Sequence, residues 1–322
     1  MYKKDKKTEI IEPINQLNLY AYDSYFNHFI ELFKTERLPN VMLFNGQKGL
    51  GKATFAYHFV NYILSEKNKE NYKIDDFKID SGSKNYKLLC NNTHPNFFLL
   101  SNATADGDIK IEQSRNLITF LNKTTYNKDI KIVLIDNAES LNLNSANAIL
   151  KALEEPKKNS FFFIIHDNKS KILETIKSRC LEFKFFQNIN TKKDVLSKIL
   201  KQHDSDFDIS TLNDDYYYNT PGNLLKYILF FEEADINFVE ERLHSILYIL
   251  EKYKTKKDTS LLPMASYFIE KYFIDNSKLK TQNINSLSFK RDKILNEIKN
   301  MKQFNLDKKN LITSFNEILT ND

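Results

Sequence analysis

The stretch "NGQKGLGKATFAYHF", residues 45–59, holds the densest chemistry in the chain. It fits the phosphate-loop pattern G-x-x-x-x-G-K-[ST] at Gly46, Gly51 and Lys52, with a further glycine at Gly49. The glycines let backbone N–H groups wrap an anion, and the following helix start adds its dipole. Lys52 is placed to reach the outer phosphates of a nucleotide. The pattern breaks at the next position, where Ala53 replaces the Ser or Thr whose hydroxyl ligates Mg²⁺. Thr54 has a hydroxyl, but about 100° further round the helix and off the metal position. ATP or ADP binding through Gly46, Gly49, Gly51, Lys52 and Thr54 is compatible with this text. Metal-assisted hydrolysis is not favoured by it.

A second segment bears on the same chemistry. "VLIDNAES", residues 133–140, ends a hydrophobic run in Asp136, where loop-type NTPases carry a Mg²⁺-coordinating carboxylate. Asp is also a common helix N-cap, so a purely structural role for Asp136 stays open. Asn137 follows where hydrolysing relatives place a Glu, and an amide cannot take a proton from water. Glu139 reads as a surface charge. Ala53 and Asn137 are two separate departures, and each removes a part that hydrolysis needs.

The trio Ser178-Arg179-Cys180 in "TIKSRCLEF" closes a helix just before an apolar run. Arg179 has two readings: an ion pair with a local carboxylate, or a finger that stabilises phosphate charge on another subunit. Its permanent charge and rigid fork of donors suit the second role. Residue chemistry alone leaves both open.

Such residues need a scaffold. "NVMLFNG" (40–46), "NFFLLSN" (96–102), "IKIVLID" (130–136), "FFFIIHD" (161–167) and "LEFKFF" (181–186) are short apolar runs of the buried-strand kind. Helical periodicity marks 18–38, about 52–65, 111–125 and 143–156. Strands alternating with helices predict an α/β fold, a parallel sheet covered on both faces. The polar stretch 66–92 reads as a surface excursion. After Phe186 only helical patterns remain, with a turn at Pro221-Gly222. The expected domains are a nucleotide-binding-type domain over 1–186, a small helical lid over 187–233 and an all-helical domain over 234–322.

Bulk composition sets limits. A chain of 322 residues exceeds one ordinary domain, and six Gly with six Pro favour helices over turn-rich β structure. Forty-seven basic against 42 acidic residues leave +5, which marks no nucleic-acid stripe. Two distant cysteines, Cys90 and Cys180, make neither a zinc module nor a disulfide framework, so no zinc is expected. The basic N-terminus lacks an apolar segment behind it and no run reaches membrane length, so a cytoplasmic protein with no membrane contact is expected.

"RLPNVMLFNGQKGLGKAT", "NLNSANAILKALEEP" and "SRC", in this order and spacing, resemble the delta-prime subunits of the bacterial DNA polymerase III clamp loader, in the form found in alphaproteobacteria. The resemblance is dense over residues 17–186 and thinner beyond. It implies an AAA+ P-loop domain, a helical lid and a helical collar that joins a hetero-pentameric ring with motor (gamma/tau) and delta subunits. The sliding clamp and primer-template DNA would be met through that complex. It further implies that Arg179 is a trans arginine finger on a motor subunit's ATP, and that the chain is a stator in which Ala53 and Asn137 cost nothing essential. Motor subunits carry a four-cysteine zinc module where residues 66–92 hold only Cys90. They carry a Thr-rich sensor where this chain has His166-Asp167-Asn168, so His166 reads as either a polar helix-start contact, the favoured reading, or a vestigial sensor. In the lid, Asn223 replaces a phosphate-touching Arg.

Overall fold

A computed structural model of the chain describes residues 10–68, 72–102, 107–123, 130–256, 258–279 and 284–304. The basic run at the N-terminus, residues 124–125 of one expected helix and the last stretch of the expected collar lie outside them. The chain divides into two compact units, Met1–Lys226 and Tyr227–Asp322.

In the first unit the elements alternate. They run α1 (Asp23–Lys34), β1 (Val41–Gly46), α2 (Lys52–Asn68), α3 (Lys84–Cys90), β2 (Phe97–Leu100), α4 (Ile111–Asn122), β3 (Lys131–Ile135), α5 (Leu143–Glu154), β4 (Ser160–Asp167), the single turn α6 (Glu174–Lys177) and β5 (Leu181–Lys184). All five strands pair in parallel in the order β2-β3-β4-β1-β5. The central strands β1, β3 and β4 have no polar face because helices cover both sides, which is why they read as unbroken apolar runs. One face packs Phe26 and Phe29 of α1 and Phe55 and Phe59 of α2 onto Phe44 and Phe163 of the sheet. Their rings meet mostly edge to face, 5.3–5.7 Å apart for Phe26–Phe55, Phe29–Phe55 and Phe29–Phe44. The opposite face packs Leu117 and Leu121 of α4 and Ala146, Ile149 and Leu153 of α5 onto Val133, Ile135 and Ile164.

Three expectations need correction. The helix predicted from residue 18 begins at Asp23, because Ala21 and Tyr22 take positive φ values of 64° and 69° that no helix accepts. The stretch 66–92 is not wholly a surface excursion. It buries Tyr72, Ile79 and Leu89 in the aromatic core, and Ile79 N–H donates to Leu17 O at 2.9 Å. His166 is no helix-start contact: it lies within β4, its Nδ1 3.1 Å from Asn45 Oδ1 and its Nε2 3.1 Å from Ser170 O.

Lys131, at the start of a central strand, is only 6% exposed, so its charge needs partners. Its Nζ donates to Phe120 O at 2.7 Å, to Leu121 O at 3.1 Å and to Lys123 O. A cation thus caps the C-terminal carbonyls of α4, where the helix dipole is negative.

After β5 come α7 (Ile189–Gln202) and α8 (Pro221–Glu232), the latter crossing from the first unit into the second. The second unit continues with α9 (Arg242–Lys256), α10 (Leu261–Leu279) and α11 (Ile284–Phe304). Its core includes Phe231, Phe238 and Phe268, with ring centroids 5.2–5.5 Å apart. Two charged residues are buried there as a pair: Lys271 Nζ donates to Asp275 Oδ1 at 2.7 Å, and Arg242 NH1 stands 3.2 Å from Asp275 Oδ2. No helix among the described residues is long and apolar enough to cross a membrane.

Candidate nucleotide cleft and the Arg179 turn

The loop between β1 and α2 is shaped by its glycines. Gly49 and Gly51 hold φ values of +87° and +85°, the left-handed region that side chains disfavour. Gly46 ends β1 with its α-carbon against the chain after β5; a Cβ there would lie 2.5 Å from Phe185 O. Lys52 opens α2 and is 4% exposed. Its Nζ donates to Gly46 O at 2.5 Å and to Gln47 O at 2.7 Å, so the loop binds its own lysine. Burial lowers the Lys52 ammonium to about 8, against the opposing pull of Asp167, Glu139 and Asp136.

Those three carboxylates come from two segments, Asp136 and Glu139 after β3 and Asp167 at the end of β4. Asp136 follows β3 and accepts from Asn137 N–H at 3.0 Å; burial raises its carboxyl above the usual range. Asn137 itself takes a left-handed conformation (φ 57°) and its amide donates to Asn102 Oδ1 at 3.0 Å. Asp167, at the end of β4, accepts from Lys48 N–H at 3.3 Å. Glu139 is not the surface charge that its sequence position implied: its Oε2 accepts from Asp167 N–H at 3.3 Å at the cleft wall. Nothing in "NAES" announces this, because the contact spans 28 residues and exists only once β3 and β4 pair.

The start of α8 closes over the loop. Thr220 Oγ1 donates to Lys48 O at 2.8 Å and Gly222 N–H donates to Gly49 O at 3.0 Å. A Cβ on Gly49 would lie 2.3 Å from Thr220 Oγ1, and one on Gly222 would lie 2.9 Å from Gly49 O. Two backbones therefore touch where only glycine fits. Pro221 at the first helical position suits the helix start. Asn223 donates to Asn219 Oδ1 at 3.0 Å and faces the cleft.

Together these elements enclose a cleft of about 510 Å³. Gly49, Gly51, Lys52, Thr54 and Asp136 border it, while Gly46 holds Lys52 from behind. Its apolar wall comes from Ile10, Ile11, Leu19, Val195, Ile199 and Leu225, a contribution from before β1, from α7 and from α8 that residue types did not advertise. A polar end beneath two helix N-termini and an apolar end of this size suit an anionic ligand with a flat, apolar part. At the position where the loop pattern carries a Mg²⁺-ligating hydroxyl, Ala53 has no oxygen to offer.

Arg179 is absent from this cleft. It sits in the turn between α6 and β5, backed by Cys180, whose half-buried thiol donates to Ile176 O at 3.1 Å and is pushed up by burial to about 12. Arg179 Nε donates to Glu154 Oε1 at 2.9 Å, NH2 meets the same oxygen, and NH1 donates to Thr175 O at 2.8 Å. The side chains of Arg179 and Glu154 remain 27% and 48% exposed.

A parallel sheet with a glycine loop after β1, a carboxylate after β3 and a helix start seated on that loop is the arrangement of a P-loop domain. Residues 21–189 match the family described as DNA polymerase III, delta subunit, and the chain belongs to that family. It is similar to the DNA polymerase III subunit delta' of Pseudomonas aeruginosa, 34% identical over 44% of this chain and 41% of the relative. The delta' subunit of Bacillus subtilis is 31% identical over 47% of this chain and 43% of that one. The gamma subunit of Buchnera aphidicola is 29% identical over 64% and 56%. The matches thus span about half the length of these relatives. Among solved structures, a DNA polymerase III gamma subunit-related protein of Thermotoga maritima covers 89% of this chain and 96% of its own, at 17% identity and a TM-score of 0.45.

Proposed function

We propose that this chain serves as a stator-type clamp-loader subunit of the DNA polymerase III holoenzyme, with Arg179 completing the ATP site of a neighbouring motor subunit. The observation that carries this reading is the separation of parts. The cleft lacks a metal ligand at Ala53, while the one arginine of the "SRC" turn stands outside it on an exposed edge. An arginine acts at a distance from its own loop only if another molecule brings the phosphate. Family membership and likeness to delta' and gamma subunits support the same assignment.

In this reading residues 1–186 are the nucleotide-binding-type domain, 187–233 the lid and 234–322 the collar of a cytoplasmic hetero-pentamer with gamma/tau and delta subunits. Sliding clamp and primer-template DNA are met as part of that complex. The chain's own cleft takes ATP or ADP through its loop without turning it over. The alternative, an ATPase motor working through Lys52 and Asp136, is opposed by Ala53 and Asn137.

The test is ATP turnover by the reconstituted loader with clamp and primed DNA, with this chain intact or as Arg179→Ala, and by this chain alone. Fingers of this kind contribute about 10³–10⁵ in rate at the site they complete. A large loss in the variant and no turnover by the isolated chain are expected. Unchanged turnover in the variant, or hydrolysis by the chain alone, would establish a motor instead.

A further inference from the structure

α5 ends in Glu154, followed at once by Glu155 and Pro156. A carboxylate in the last turn of a helix faces the negative end of the dipole and is unfavourable there. An arginine 25 residues later reaches back to Glu154. The pairing is lopsided in an informative way. Glu154 takes the Nε and NH2 edge of the guanidinium through one oxygen, and NH1 turns to Thr175 O and Ser178 Oγ. With five N–H donors in a fixed plane, an arginine held along that edge has its orientation set and keeps donor capacity on NH2. Without Glu154, its partners among the described residues are the Thr175 carbonyl of α6 and the Ser178 hydroxyl, both within four residues of Arg179 itself.

We propose that Glu154 is a positioning residue for Arg179: from the end of α5 it fixes the guanidinium plane at the domain edge, ready for a phosphate presented by a neighbouring subunit. The proposal rests on the finger reading of Arg179 given above. Glu154 touches no substrate and acts only through Arg179. It ties the finger to α5, the helix after the β3 carboxylate segment, so the pose of Arg179 follows α5 as well as its own turn.

The experiment is steady-state ATP turnover by the reconstituted loader, with clamp and primed DNA, carrying this chain intact or as Glu154→Ala, Glu154→Gln, Arg179→Ala or the Glu154→Ala/Arg179→Ala double variant. Glu154→Ala should lower kcat by about two- to fivefold, the range for a half-exposed ion pair, with KM for ATP unchanged. Glu154→Gln keeps an acceptor oxygen and should recover most of that loss. In the Arg179→Ala background, Glu154→Ala should cost nothing more, because the two side chains act as one unit. A Glu154→Ala effect that persists without Arg179, a rise in turnover, or no change while Arg179→Ala is strongly impaired would each overturn the positioning role. No loss in Arg179→Ala itself would instead overturn the finger reading beneath it.

Discussion

Gly222 lies with its backbone against Gly49: the Gly222 N–H donates to the Gly49 carbonyl at 3.0 Å, and a Cβ on Gly222 would sit 3.0 Å from the Gly49 α-carbon. The helix that follows the lid turn is thereby seated on the phosphate loop itself. Neither residue tolerates a side chain there, since the atoms they would meet include backbone or a packed threonine.

Gly222→Ala should therefore unseat this contact at a cost of about 1–3 kcal/mol, the range for overpacking. Thr220→Val removes only a hydrogen bond to Lys48 O and should cost about 0.5–1.5 kcal/mol. Chemical denaturation of the two variants checks the order. A Gly222→Ala protein as stable as the parent would mean that the contact is looser than its geometry.

Lys52 is held by two loop carbonyls, and a nucleotide phosphate must draw it away from them. Ala53 leaves the loop without its metal-binding hydroxyl. ADP affinity measured by calorimetry should thus be the same with and without Mg²⁺, and Lys52→Ala should weaken it at least about tenfold, a loss expected of a charge-assisted contact. Strong Mg²⁺ dependence would show that Asp136 and its neighbours hold a metal after all.

His58 gives a pH dependence of definite sign. Its Nδ1 accepts from Tyr72 OH at 2.7 Å, its Nε2–H donates to Gln16 O at 2.9 Å, and burial lowers its pKa from 6.5 to about 4. Between those values the unfolded chain binds a proton that the folded chain refuses. Stability therefore falls as pH drops from about 6.5 to 4, with about 3 kcal/mol as the ceiling for one such group. Urea titrations across that window should show the slope, and His58→Gln should flatten it. An imidazole resonance that titrates near 6.5 in the folded protein would contradict the burial.

In the helical unit, Asp275 is the carboxylate for both Lys271 and Arg242, and Lys271 is 5% exposed. Asp275→Ala should cost about 3–5 kcal/mol, because it removes the carboxylate that Lys271 and Arg242 share. Adding Lys271→Met should restore much of it, since the buried cation is then removed together with its carboxylate. Thermal melts of the single and double variants decide; a double variant no better than the single would place the cost in packing.

How much of this was legible beforehand depended on the range of the interactions. The central strands β1, β3 and β4 were visible as apolar runs because parallel strands buried on both faces leave few polar positions to confuse the pattern. The edge strands β2 and β5 still carried enough apolar residues to show. The loop glycines and Lys52 were visible because their work is local: a positive φ at Gly49 and Gly51, and a helix start at Lys52. The order and spacing of three segments also pointed to the family that residues 21–189 match. Helix starts were less legible, as Ala21 and Tyr22 show, because side-chain periodicity runs on through residues whose backbone has already turned.

The sequence by itself determined the alternation of strands and helices, the glycine loop with its missing hydroxyl, and the candidate roles of Asp136 and Arg179, all properties of neighbours within a few residues. Only tertiary structure decided that Glu139 joins the cleft, that Thr220 and Gly222 close on Lys48 and Gly49, and that Glu154 takes Arg179. Each of those is a contact across 25 or more residues. Charge and hydroxyl groups look alike in a sequence whether they face water or one another, and only the folded chain brings them within hydrogen-bonding distance.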